Sequence, residues 1–166
     1  MNFIAIFLAA LVPMILGFIY YNPKVLGGVW MAETGLTEEK MKGGNMALVF
    51  GVSLILSIML SIGVNFNVIH QMGVDGALYY AQKDPARMAK AEEVKAMFFG
   101  NGEYANDGRT LKHGITHGIV ISLFFMLPIL GTNALFERKS FKYILVNAGY
   151  WTICLAIMGG IISAWK

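Results

Sequence analysis

Three histidines, His70, His113 and His117, are the side chains in this sequence best suited to chemistry. His113 and His117 stand four residues apart, so on a helix they share a face and can grip one ion, with His70 as a third imidazole. Neutral imidazoles suit zinc, copper, nickel or iron, a haem iron included, and they bind only in the deprotonated form. Glu103 and Asp107 precede the pair and offer carboxylates to complete a shell. The pattern lacks specificity, because histidines at a helix end near the headgroups also bond backbone carbonyls, lipid phosphate or water. On sequence alone that structural role outweighs a metal or haem site and a proton relay.

Little else points to a reaction. No nucleophile sits in a Gly-x-Ser-x-Gly context, no phosphate loop occurs and His-Glu-x-x-His is absent, so no catalytic residue is assigned. Cys154 is the sole cysteine, which excludes a disulfide framework and reads as a small packing group. The eleven methionines are spread over all segments and read as gap-fillers between helices. Ser53, Ser57, Ser61 and Asn65 recur in steps of four, a polar stripe that wants a neighbouring helix or, in an oligomer, lines a pore. Asn147 and Tyr150, three apart, form a candidate polar pocket or bond to an adjacent helix.

The elements that must position these groups follow from charge. Met1 to Pro23, Gly43 to Val74, His113 to Phe136 and Tyr143 to Trp165 carry no Lys, Arg, Asp or Glu. Each is long enough to cross a hydrocarbon core that needs about 20 residues of helix. Lipid offers no hydrogen-bond partners, so such spans are helices, and a barrel would instead show alternating segments of about 10 residues. The fold class is therefore all-α: one polytopic membrane domain, residues 1–166, with four spans at about 3–21, 45–73, 113–136 and 143–165.

Asp84 and Pro85 read as the start of a helix and Gly100 as its stop, which predicts an extramembrane amphipathic helix over 85–99 between spans two and three. Pro13 should bend the first span. The short hinge from Glu137 to Lys142 makes spans three and four antiparallel neighbours. The net charge of +3 does not imply nucleic acid, since no basic run exceeds two residues. Basic residues in the loops nearly balance across the membrane; the absence of one before the first span, and the compact basic third loop, lean toward loops one and three on the cytoplasmic side. No span holds a carboxylate, Lys or Arg at depth, which argues against a proton-coupled transporter.

A family resemblance adds to this reading. Gly17, Tyr20 to Lys24, Trp30 and Met31, Gly35 to Lys40, and Asn45 with Met46 resemble the opening of the bacterial family called domain of unknown function 1761. His113, Gly114, His117, Gly118, Leu135 to Lys139, Asn147, Gly149 to Trp151, Met158, Gly159 and Trp165 are similar to that family's second half. The resemblance implies a small bacterial inner-membrane protein and carries over no catalytic residues.

Taken together, the sequence favours a structural or accessory subunit that contacts the lipid bilayer and assembles through small-residue helix faces into a homo-oligomer or a larger membrane complex. The alternatives are a metal- or haem-binding membrane protein using the histidines, and an oligomeric channel or carrier for a small solute.

Overall fold

The computed structural model describes residues 1–42 and 44–166; Gly43, the start of the second uncharged stretch, lies outside the described residues. The described elements are all helical: α1 (Phe3–Tyr20), α2 (Gly28–Thr34), α3 (Glu38–Lys42), α4 (Met46–Val68), α5 (Gln71–Gln82), α6 (Met88–Phe98), α7 (Leu111–Ile121), α8 (Leu127–Phe136) and α9 (Phe141–Ala164). Four stretches are long and apolar enough to span a membrane: α1, α4, the continuous run Leu111–Phe136 formed by α7 and α8, and α9. The chain is a multi-pass membrane protein by helix length and composition.

Its side chains are distributed as lipid requires. Large apolar residues face outward, among them Phe3, Phe124, Phe136 and Leu145, while the interior holds small or polar groups such as Ala9, Ala10, Ser61, Ser122 and Ser163 beside Leu155, Met158 and Ile162. With lipid as solvent, burial of large apolar groups is no longer the driving force, so small residues that allow close approach and hydroxyls that bond across helices supply the packing. Ser61 Oγ donates to the Ile6 carbonyl at 2.8 Å, joining α4 to α1. The Ser122 and Thr152 hydroxyls meet at 2.7 Å, joining the third span to α9. Tyr150 Oη donates to the Pro13 carbonyl at 2.6 Å, joining α9 to α1.

The closest approach is between α7 and α9. A Cβ on Gly118 would lie 2.0 Å from the Leu155 carbonyl oxygen, so only glycine lets these two backbones touch. Between α7 and α8 the chain makes a π-helical turn, Ser122–Met126, closed by the Leu127 N–H on the Ser122 carbonyl. Pro128 accounts for it: a ring that lacks an N–H and crowds the preceding turn is accommodated by one wider turn.

The structure differs from the sequence reading at several boundaries. The second span ends at Val68 instead of reaching Gly73, because Ile69 is extended and starts a separate helix, α5. The stretch after Asn22, between the first two expected spans, holds a π-helical turn, Pro23–Gly27, and then α2. The turn closes with the Gly27 N–H on the Asn22 carbonyl at 2.9 Å, and a Cβ on Gly27 would fall 2.1 Å from the Tyr21 carbonyl oxygen. The extramembrane helix begins at Met88, three residues beyond Pro85, since Asp84 first closes a turn through its side chain to the Ala86 N–H. Gly100, at φ +62°, stands just beyond it as expected. The last span starts at Phe141, capped by Ser140, whose hydroxyl accepts from the Tyr143 N–H at 3.0 Å.

Candidate metal centre

At the end of the bundle where the α5–α6 hairpin lies, α4 hands over to α5 at His70, and α7 rises beside it. His113 and His117, one turn apart on α7, and His70 bring three imidazoles together. One ligand nitrogen from each lies within 4.8 Å of the other two. The ring centroids are 4.8 Å apart for His70 and His113, 4.7 Å for His70 and His117, and 4.4 Å for His113 and His117. His70 is exposed, and the two α7 histidines are half-buried.

The local sequence fixes this geometry. Each α7 histidine immediately precedes a glycine, Gly114 or Gly118, and those glycines pin α7 backbone to backbone on α9. Successive helical residues turn by about 100°, so anchoring the glycines sets the direction in which the histidines project. Thr110 caps the same helix, its hydroxyl accepting from the His113 N–H at 3.2 Å.

The loop from Gly100 to Thr110 is strapped over the site from two sides. Gln71 Nε2 donates to the Tyr104 carbonyl at 3.0 Å and to the Asp107 carbonyl at 2.9 Å. Arg109 donates through Nε to the Ser163 carbonyl at 3.0 Å and through Nη2 to the Trp165 carbonyl, filling two acceptors at the C-terminus of α9. Partial burial lowers the Arg109 pKa from its ordinary value. Ser163 Oγ completes the clamp on the Gly108 carbonyl at 3.1 Å. Gly108, at φ +72°, lets the strap turn beside the His113 ring, which would stand 3.3 Å from a Cβ there. A chamber of about 390 Å³ opens next to His70, walled by Gln71, Val74, Phe98, Tyr104, Asp107 and Gly108.

The other candidates fall elsewhere. Asp107 walls the chamber beside His70, but neither it nor Glu103 joins the cluster of ligand atoms. Ser57, Ser61 and Asn65 are buried within this one chain, and Asn65 donates to the Met72 sulfur. Ser53 and Ser57 line a larger apolar chamber of about 730 Å³, with Tyr21, Trp30, Tyr150 and Trp151 also in its wall. Asn147 is already engaged, accepting from Tyr21 Oη at 3.1 Å and donating to the Tyr143 carbonyl at 2.8 Å. Gln71 escaped the sequence reading, since one amide in a polar stretch carries no pattern.

Fold and site together define a class, a four-span helical membrane protein with a three-histidine cluster at one end of its bundle. The chain belongs to the family described as a protein of unknown function, DUF1761, whose model matches residues 4–163. No curated protein and no solved structure matches it.

Proposed function

We propose that this protein is a membrane-embedded binder of one divalent transition-metal ion, held by His70, His113 and His117. The observation that carries the reading is the convergence of three ligand nitrogens within 4.8 Å from the α4–α5 junction and from α7, far apart in sequence. A tetrahedral metal with bonds of about 2.0 Å spaces its ligands roughly 3.3 Å apart, which small side-chain rotations provide. The donor set is all imidazole, which favours zinc, copper, nickel or iron over calcium or magnesium. A haem fits less well: two axial imidazoles on opposite faces would put ring centres roughly 6 Å apart, given metal–nitrogen bonds of about 2.0 Å. The observed centroids lie between 4.4 and 4.8 Å.

The test is a titration of chelator-stripped protein in detergent with Zn²⁺. One ion per chain, lost when the three histidines are replaced by alanine with the helical content retained, supports the reading. Equal binding by that variant sinks it. With loops one and three cytoplasmic in a bacterial inner membrane, the site faces the opposite side, where it would meet metal arriving from outside.

A structural or accessory role in a homo-oligomer or larger complex is the second reading. It rests on exposed Tyr79, Tyr80 and Met88, which stand outside the four spans on α5 and α6. A photo-crosslinker at Tyr80 that captures a second copy or another membrane protein would support it. Capture of lipid alone would count against it.

A further inference from the structure

We infer that the three-histidine site keeps an exchangeable fourth position, occupied by water at rest and open to small anions from the chamber beside His70. This deepens the metal-binding reading and rests on it. Zinc-type sites that only hold a fold close with four protein ligands, whereas those that bind exogenous molecules keep three and leave one position to solvent. Among the described residues the cluster offers three protein ligands, and no carboxylate or thiol joins them.

The nearest acidic segment is held by its backbone: the Asp107 carbonyl is fixed by Gln71, and the Asp107 side chain is exposed. His70, the exposed member, lines a chamber large enough for several waters, so the open side of the site meets solvent.

A second observation is an unmet acceptor on a residue of the chamber wall. The Gln71 amide orientation is set by its two acceptors: both are carbonyls, which cannot donate, so the NH₂ faces the strap and Oε1 faces away. Gln71 is 6% exposed, and its Oε1 is the buried side-chain polar atom without a hydrogen-bond partner among the described residues. A buried acceptor calls for a donor. Gln71 walls the chamber beside His70 and also a second one, of about 590 Å³, lined in part by Asn65, Ile69 and Met72, so a donor held against it there would meet this acceptor. A single open position beside a chamber of about 390 Å³ takes small ligands: water, and monovalent anions that replace it at the metal.

The experiment uses the full chain in detergent, loaded with Co²⁺ as an optical probe and titrated with azide. Saturable change of the visible cobalt bands, at one azide per metal, is expected. The same titration in Asp107→Asn and Glu103→Gln should give an unchanged starting spectrum. Cobalt bands that ignore azide would overturn the open position while leaving the metal site standing. Azide sensitivity that arises only in Asp107→Asn or Glu103→Gln would overturn it too, by assigning the fourth ligand to a carboxylate. Failure to bind Co²⁺ or Zn²⁺ at all would remove the metal-binding reading itself.

Discussion

Gly114 and Gly159 face each other backbone to backbone across the α7–α9 contact: a Cβ on Gly114 would lie 2.0 Å from the Gly159 carbonyl oxygen, and one on Gly159 would lie 2.3 Å from that of Gly114. Because His113 and His117 each precede a glycine of this contact, helix packing and the histidine cluster are one construction.

The first expectation concerns Gly118→Ala. Its methyl would meet the Leu155 carbonyl at 2.0 Å, so α7 must shift, at a cost of about 1–3 kcal/mol or more. Gly63→Ala is the matched control, with nothing within 4 Å of the added carbon and a gain of up to about 1 kcal/mol in helix propensity. Thermal unfolding in detergent should separate the two, and metal affinity should fall only in Gly118→Ala. Equal stability in both would mean that the close approach is not needed.

A second expectation is that Tyr150→Phe weakens the fold and spares the metal. The lost hydroxyl removes the bond that ties α9 to the Pro13 carbonyl of α1, which within a membrane costs about 1 kcal/mol. Reversible unfolding in mixed micelles measures the loss, and zinc titration should give an unaltered constant, since α1 takes no part in the histidine cluster. A large change in zinc affinity would show that the two regions are coupled.

How the site was legible in sequence depends on the residue. The i, i+4 pair His113 and His117 was visible at once, because helical spacing alone puts both on one face. His70 could be nominated but not placed, since its position depends on the chain breaking at Ile69, where the apolar pattern runs on without a proline or glycine. The four spans were legible from the absence of charge, whereas which small residues pack with which helix was not. Ser57 and Ser61 announce a neighbouring helix without saying whether it belongs to the same chain, and only the tertiary arrangement buries them within it. The π-helical turn before Pro128 belongs to the same group, since a proline announces a disturbance without saying how the backbone absorbs it.

The third expectation concerns pH and the α5–α6 hairpin. Lys95 Nζ and Asp75 Oδ1 pair at 2.6 Å. The Lys95 hydrogen bond, with a further one from Gln82, holds the Asp75 carboxyl below its ordinary value of 3.8, and the bond to Asp75 raises Lys95 above 10.5. A lowered carboxyl pKa contributes stability that is present above its unfolded value and lost as the pH falls through the folded one. A raised lysine pKa contributes stability that is present below its unfolded value and lost as the pH rises through the folded one. Asp75 is exposed and Lys95 half-buried at the surface, so the effect is small and screened by salt. Amide exchange in α5 and α6, corrected for intrinsic rates, should be slowest between these limits and lose its acid limb in Lys95→Met. An unchanged acid limb in that variant would assign it to another group.

The central claim is that three imidazoles from two distant segments share one ion, and X-ray absorption at the zinc edge of the loaded protein tests it most directly. The expected spectrum has three imidazole nitrogens near 2.0 Å with the outer-shell scattering of histidine rings, reduced when His70 is replaced by alanine. A sulfur shell, or an oxygen-only shell without imidazole scattering, would contradict it.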